Sequence, residues 1–202
     1  MQELLVDFIT SLDGYGAAEG WPGWWGLEGP EYLAWLGQQP ERDYLILMGR
    51  NTYELMSRFA AEAEASEDEA TDEDDSFAEL GAQTKVVFSS TLQEPLSWAN
   101  TRLIRGDAVE AVREMKQDGT RPMRTIGSLT LCRSLLEAGL VDRFRVVVFP
   151  VITGSTGRDR IYDGYPDVAL EMVNGRTFDG RLQLLEYAPT VLAGPPNPPP
   201  AT

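Results

Sequence analysis

Short apolar runs alternate with amphipathic segments along most of this chain, and that alternation restricts the fold more than any other feature. The continuous apolar run at residues 44–48 is typical of a strand buried on both faces of a sheet, and the β-branched run at residues 144–149 also predicts a strand. Helical segments lie between such runs, and one of them follows Asp107, a good capping residue. Near the end, Asp179 and Gly180 separate two strand-like segments and predict a β-hairpin. The pattern predicts an α/β fold with a mostly parallel sheet, covered by helices, and an antiparallel edge.

Composition divides the chain into a domain, an insert and a tail. A length of 202 residues fits one hydrophobic core, so residues 1–190 are expected to form a single domain. Ten acidic residues and no Lys or Arg lie between Phe59 and Thr84, which predicts a mobile acidic insert at about residues 61–78. Such an insert is either a solvated loop or a docking segment for a basic partner. The proline-rich residues 191–202 are expected to be a disordered tail.

Several absences exclude classes of function. The chain has no histidine, which removes Ser-His-Asp and Cys-His catalysis and histidine-ligated zinc, and no metal site is expected. The single cysteine, Cys132, lies in an apolar helical pattern and is expected to be a buried hydrophobe. A net charge of −15 argues against nucleic-acid and anionic membrane partners. No apolar run is long enough to cross a membrane and no signal peptide is evident, so a cytoplasmic location is expected.

Polar and flexible residues directly follow three of the predicted strands. Gly49 and Arg50 follow the first, three hydroxyl residues at 89–91 follow the second, and Gly127 and Ser128 follow the third. A glycine lets the backbone approach a ligand, and a helix start offers free N–H groups and a positive dipole end to a phosphate. A single junction of this kind is more typical of ordinary helix capping. Because ligands of doubly wound sheets lie outside the carboxyl ends of the strands, the three together predict a phosphate-binding edge.

These motifs resemble the dihydrofolate-reductase-like superfamily. MGRNTYE at residues 48–54 is similar to the dihydrofolate reductase signature, and KVVFSSTL at residues 85–92 is similar to that family's second cofactor strand. SLDGY at residues 11–15 resembles the opening of the reductase domain of riboflavin-biosynthesis deaminase-reductases, and residues 127–142 and 149–154 continue that resemblance. The resemblance implies a three-layer α/β/α sandwich that ends in the antiparallel hairpin. It also implies a free-standing reductase without the deaminase half.

The resemblance further implies a cofactor and a reaction. An NADPH-dependent reductase would transfer hydride to a pyrimidine- or pterin-like small molecule, as in the 5-amino-6-(5-phosphoribosylamino)uracil reductase step, and the cofactor would carry the chemistry. The nicotinamide would lie near Thr10, Asp13 and Gly14, beside a pocket closed by residues 21–33. A homodimer is also implied. The residues expected to bind NADPH are Gly49, Arg50, Asn51, Thr52, Ser89, Ser90, Thr91, Gly127, Ser128, Leu129 and Thr130.

The chain departs from the family pattern at two positions. Leu129 stands at or beside a position where the family carries glycine, so its side chain either crowds the pyrophosphate or faces the core. Tyr32 stands where the folate enzymes have their proton-relaying carboxylate, with Glu31 one residue away. A one-residue offset turns a helical side chain by about 100°, so folate reduction is not expected. Glu31 is then either a catalytic acid or a solvated carboxylate stabilised by the helix dipole.

Other candidate residues each have a second interpretation. Asp13 is a catalytic candidate beside the nicotinamide, or a turn-forming residue before Gly14. Trp25 and Tyr32 are candidates for substrate binding, but the tryptophans of this loop could equally fill the core or a dimer contact. Arg158 and Arg160 are candidates for a substrate phosphate, or belong to an exposed basic loop.

Two alternatives to the reductase remain open. The chain could be a non-catalytic relative that keeps the fold, with Leu129 filling the pyrophosphate space. It could instead be an interaction protein that presents its acidic insert to a partner. Neither alternative names a substrate, and a scaffold alone does not name one either.

Overall fold

The computed structural model describes residues 1–21, 25–65 and 80–195. Its strands are β1 (Leu4–Ser11), β2 (Tyr15–Ala18), β3 (Leu45–Gly49), β4 (Lys85–Phe88), β5 (Thr101–Ile104), β6 (Met123–Thr125), β7 (Arg143–Phe149), β8 (Gly157–Arg160), β9 (Val168–Phe178) and β10 (Leu182–Val191). The helices bounded within the described ranges are α1 (Pro30–Gln38), α2 (Arg50–Ala65), α3 (Ala108–Asp118) and α4 (Leu129–Glu137). Most of the predicted acidic insert and of the proline-rich tail lies outside the described residues.

Eight strands form one mixed sheet in the order β5-β4-β3-β6-β1-β7-β10-β9. The pairs from β5 to β7 are parallel, whereas β10 runs antiparallel to both β7 and β9. Asp179 and Gly180 both have positive φ in the turn between β9 and β10, as a tight hairpin requires. The prediction of a mostly parallel sheet with a C-terminal antiparallel hairpin is confirmed.

Helices cover both faces of this sheet, which confirms the three-layer sandwich. On one face, α3 and α4 pack on the alternate side chains of the strands, among them Leu47 and Val146, to form the largest core cluster. On the other face, α2 packs on Ile46 and Met48 of β3, while α1 packs on Phe149 of β7. Because α1 and α2 cover different strands, a strip of sheet over β6 and β1 lies open between them.

A residue far along the chain caps helix α1. Gly29 precedes the helix and has no side chain with which to cap it. Asp179 of the hairpin turn accepts hydrogen bonds from the backbone N–H groups of Glu31 (3.0 Å) and Tyr32 (3.2 Å). Glu31 in turn accepts from the backbone N–H of Asp179 at 2.7 Å. This reciprocal pair satisfies N–H groups that a helix start leaves unpaired, and a Cβ at Gly29 would collide with the Asp179 carboxylate.

Several local features add detail that the sequence pattern did not predict. The expected loop after β1 contains strand β2, which pairs with β8 in a separate two-stranded antiparallel sheet. Helix α2 begins at Arg50, directly after Gly49, the last residue of β3. Asp107 caps α3 as predicted, through the N–H groups of the next turn, but Ser128 makes no capping bond to α4. No helix in the described ranges is long and apolar enough to span a membrane.

Candidate functional site

A cleft of about 1690 Å³ opens between α1 and α2 and extends to the carboxyl ends of β3, β4 and β6. These three strands are adjacent in the sheet order β4-β3-β6, so the junctions that follow them lie along one edge. The structure therefore brings the three predicted junctions together. All eleven predicted cofactor residues line the cleft: Gly49, Arg50, Asn51, Thr52, Ser89, Ser90, Thr91, Gly127, Ser128, Leu129 and Thr130.

The hydroxyl of Ser128 joins the first and third junctions. It accepts a hydrogen bond from the backbone N–H of Gly49 at 2.7 Å and donates to the Thr52 hydroxyl at 2.8 Å. Gly127 and Ser128 both have positive φ, +54° and +66°, which is rare for a residue with a side chain. A Cβ at Gly127 would lie 3.3 Å from the Thr52 hydroxyl. The turn is therefore tight, and Ser128 uses its hydroxyl to hold the edge together instead of capping α4.

Arg50 joins the first junction to the second. Its guanidinium donates to the Thr91 hydroxyl at 3.3 Å and lies 3.9 Å from Glu54 in an exposed i,i+4 pair. The Ser89 hydroxyl accepts from the N–H groups of Thr91 and Leu92, both at 3.1 Å, and so shapes the loop after β4. The side chain of Arg50 is half exposed, so the cation remains available to a bound anion.

Leu129 is shared between the cleft and the core. It lines the cleft, and its partly buried side chain also packs against the largest core cluster, beside the first turn of α4. Of the two interpretations, the contact with the core supports the one in which α4 directs this side chain inward.

The floor of the cleft is polar where it crosses β1. Asp7 points into the cleft from β1 and is held by Arg145 of the neighbouring strand, which donates to its two oxygens at 3.0 and 2.6 Å. Arg145 also donates to Gln39 at 2.7 Å, so the pair is anchored to the end of α1. Tyr32 of α1 lines the same part of the cleft, and burial raises the pKa of its phenol, with Asp7 and Glu28 adding to the rise. The phenol therefore keeps its proton and can donate a hydrogen bond to a ligand.

The structure places the two candidate catalytic carboxylates outside the cleft. Asp13 accepts from the Ser11 hydroxyl at 2.7 Å and from the backbone N–H groups of Thr153 (3.2 Å) and Gly154 (2.9 Å). The Ser11 bond, supported by those two N–H groups, lowers the pKa of Asp13 to about 2. An acid so firmly ionised is a poor proton donor at neutral pH, and Asp13 fastens the loop after β7 to the end of β1. Glu31 holds the hairpin turn, as described above.

The structure also separates three of the four candidate substrate residues from the cleft. Arg158 and Arg160 lie on β8 and turn away from it: Arg158 pairs with Glu19 at 3.3 Å, and Arg160 lies over the ring of Tyr15. The residues that alternate with them, Asp159 and Ile161, line the cleft instead. Trp25 packs with Tyr32 against the core beneath α1.

The same fold occurs in known proteins. The family model of the RibD C-terminal domain matches residues 2–184. The chain belongs to this family. Within it, the uncharacterized protein YyaP of Bacillus subtilis (strain 168) is 26% identical over 188 residues, which is 92% of this chain and 94% of YyaP.

Solved structures share the fold of this RibD C-terminal domain at low sequence identity. A candidate riboflavin biosynthesis protein of Shewanella sp. PV-4 superposes with a TM-score of 0.68 at 18% identity, covering 94% of this chain and 99% of that one. The Thermotoga maritima diaminohydroxyphosphoribosylaminopyrimidine deaminase/5-amino-6-(5-phosphoribosylamino)uracil reductase gives a TM-score of 0.62 at 16% identity. There the match covers 94% of this chain and 57% of the longer bifunctional enzyme.

Sequence reasoning missed several residues of the cleft in this RibD-type domain. Asp7 and Arg124 lie inside runs that read as buried strands, and the only available signal was a charge within an apolar run. Gly106 and Asp107 also line the cleft, at the end of β5 beside the junction after β4. The sequence predicts Asp107 as a helix cap, and no local signal places it at this edge.

Proposed function

We propose that this chain is an NADPH-dependent reductase that transfers hydride to a pyrimidine- or pterin-like small molecule. Its membership of the RibD C-terminal family supports the reductase class, and the activity of the structurally similar Thermotoga maritima enzyme, a 5-amino-6-(5-phosphoribosylamino)uracil reductase, suggests the type of substrate. The observation that carries the proposal is the single edge on which the three junctions meet, with Ser128 bonded to both Gly49 and Thr52.

The residues of this edge fit a phosphorylated dinucleotide. Gly49 and Gly127 leave room for a ligand close to the backbone, and a side chain at Gly127 would crowd Thr52. Hydroxyl groups at residues 89–91 can donate to phosphate oxygens, and Arg50 offers a half-exposed guanidinium fork to a phosphate. The start of α2 adds its free N–H groups and positive dipole end. Arg50 is therefore the residue that we expect to distinguish NADPH from NADH.

NADPH, when bound, supplies the hydride. The protein's own contribution is the floor of the cleft next to that edge. Tyr32 remains a protonated donor because its phenol is buried, while Asp7 remains an acceptor that Arg145 holds in place. A donor and an acceptor on a buried floor can orient the polar edge of a planar heterocycle and exclude water from around it.

A thermal-shift titration with NADPH and NADH side by side tests the cofactor assignment. Saturation at 100 times the dissociation constant adds about 2.7 kcal/mol to stability, which is easily resolved. We expect a larger shift with NADPH, and expect Arg50→Met to remove the difference between the two nucleotides. Arg58→Met is the matched control, because Arg58 is an exposed arginine of the same helix with its own i,i+4 partner, Glu62. No shift with either nucleotide in the wild-type protein would contradict the proposal and favour the non-catalytic alternative.

We also propose that the chain forms a homodimer through β9. The sheet order of the described residues ends at β9, so this eleven-residue strand offers an unpaired edge. Leu170, Met172 and Val173 on this strand are about half exposed, which is a large apolar surface for an edge. Light scattering should give a dimer, and Met172→Lys should shift it to monomer. A wild-type protein that stays monomeric at high micromolar concentration would contradict this assembly.

A further inference from the structure

Among the described residues, one cation in the floor of the cleft, Arg124, has no anionic partner. Arg124 lies on β6, only 8% exposed, and lines the cleft. Its side-chain hydrogen bond within the described ranges runs from Nη2 to the neutral side chain of Gln83, at 3.2 Å. The buried Nε has no acceptor in the described part of the chain. Burial lowers the pKa of Arg124, the signature of a charge whose lost hydration is not replaced.

The neighbouring arginines of the same sheet face are fully paired, which makes Arg124 unusual. Arg143 pairs with Glu3, Glu41 and Glu186. Arg145 pairs with Asp7 and Glu41. The carboxylates near Arg124 are thus already bound by other cations, and they act on it only from a distance. Burial of an unpaired guanidinium lowers the stability of a folded protein unless a bound ligand supplies the missing anionic partner.

The position of Arg124 suits the end of a substrate remote from the cofactor. Its partners in register are Ile46 on β3 and Leu5 on β1, near the amino ends of the strands. Gly127 of the cofactor edge comes three residues later, which is about 10 Å along the sheet at the rise of a strand. Along the strand direction, Asp7 lies between Arg124 and Gly127. A heterocycle over Asp7 would therefore present one side to the cofactor edge and a substituent on the other side to Arg124.

The local charge favours a monoanion over a phosphate dianion. Asp7 and Glu41, the carboxylates that act on Arg124 from a distance, are already paired with Arg145 and Arg143. Arg124 therefore contributes one positive charge that no ion pair among the described residues compensates. A carboxylate matches that charge and also matches the planar fork of a guanidinium.

We propose that Arg124 is the specificity-determining residue of the cleft and binds a carboxylate on the substrate. The substrate class is then a carboxylate-bearing pyrimidine or pterin, a refinement that rests on the reductase function proposed above. Arg124 touches the substrate at its distal substituent and takes no part in the hydride transfer.

Three probes that differ in their acidic group test this proposal: uracil, orotate, which is uracil with a carboxylate, and uridine 5′-monophosphate. We expect wild-type protein to bind orotate about ten- to a hundredfold more tightly than uracil, the worth of one charge-assisted bond. Arg124→Met should abolish that difference while changing uracil affinity less than twofold. Equal affinity of the wild type for orotate and uracil overturns the proposal, as does an orotate preference that survives in the variant. A preference for uridine 5′-monophosphate that Arg124→Met removes overturns the carboxylate in favour of a phosphate.

Thermal melting of the ligand-free variants separates binding from folding. Arg124→Met should melt at or above the wild-type temperature, because it removes a charge that nothing compensates. Arg143→Met is the matched control and should melt lower, because it removes the cation paired with Glu3 and Glu186 and leaves Glu41 with Arg145 alone. An Arg124 variant that loses as much stability as the Arg143 variant shows a structural arginine and overturns the proposal. NADPH titration of the same samples tests the reductase function independently, since the orotate comparison needs no cofactor.

Discussion

Replacement of Arg145 by methionine removes the cation on which the floor of the cleft depends. Arg145 is 1% exposed, donates to both oxygens of Asp7 and to Gln39, and lies 3.4 Å from Glu41. Its guanidinium also stacks 5.0 Å from the centre of the Trp35 ring. Methionine fills a similar volume without the charge, so the substitution tests the ionic network and leaves the packing largely intact.

The expected loss follows from the burial of the partners left behind. Removal of one partner from a buried ion pair costs about 3–5 kcal/mol, because the other charge stays buried and unpaired. The Glu41 side chain is 4% exposed but retains Arg143, and the Asp7 side chain is 21% exposed and retains some water. We therefore expect the lower part of the range, about 3–4 kcal/mol. For a domain of this size that is a fall in melting temperature of about 6–16 °C.

Urea unfolding followed by far-ultraviolet circular dichroism measures this loss. Arg145→Lys is the control that keeps the positive charge but loses the planar, bidentate guanidinium. Its free energy of unfolding should lie between those of the wild type and Arg145→Met. The double variant Asp7→Asn with Arg145→Met should be more stable than Arg145→Met alone. It also removes the Asp7 carboxylate, which the single variant leaves without its cation. A loss below about 1 kcal/mol in Arg145→Met would refute the reasoning, since that is the worth of an exposed ion pair.

Three further predictions concern a carboxylate, a turn and a lysine. Burial alone would raise the pKa of Glu41, but its arginine partners lower it below the ordinary 4.5. As the pH falls, Glu41 is protonated in the unfolded chain near its ordinary pKa and in the folded protein only at a lower pH. The stability that its charge contributes is therefore complete above the ordinary pKa and is lost as the pH falls through the folded pKa. Glu41→Gln should therefore flatten the acid limb of the stability curve, and an unchanged limb would contradict this. Gly127→Ala should cost about 1–2 kcal/mol in urea unfolding and weaken NADPH binding, because φ is +54° and Thr52 leaves little room. Gly139→Ala, with φ +65° in open space, is its control and should leave binding unchanged. Lys85→Met should cost about 1–3 kcal/mol in urea unfolding, since the buried Lys85 ammonium donates to three backbone carbonyls, and a change below about 0.5 kcal/mol would contradict that role.

The sequence predicted the parts of this molecule that depend on local signals. The junctions at Gly49 and Gly127 were predictable because a strand end, a glycine and a helix start are read within a few residues. Their meeting at one edge followed from the general behaviour of parallel sheets. The same locality explains the hairpin at Asp179 and Gly180.

The remainder depended on contacts between distant parts of the chain. Asp13 binds a loop 140 residues away, and Glu31 binds a turn 148 residues away, so neither structural role could be read from its own surroundings. Asp7 and Arg124 sit in strands whose apolar neighbours predict burial, and nothing local shows which face remains uncovered. That depends on where α1 and α2 pack, which is a property of the whole sheet.

The cap of α1 ties the order of synthesis to the completion of the cleft. A ribosome makes a chain from its amino-terminal side, so α1 emerges before β9 and β10. The helix has Gly29 where a capping side chain would stand, and its cap, Asp179, is made about 150 residues later, within the hairpin of β9 and β10. Helix α1, which forms one wall of the cleft, is therefore capped only when the hairpin of β9 and β10 is in place. A nascent chain that ends before this hairpin would contain all three strand-end junctions but would lack the cap on the helix that forms one wall of the cleft.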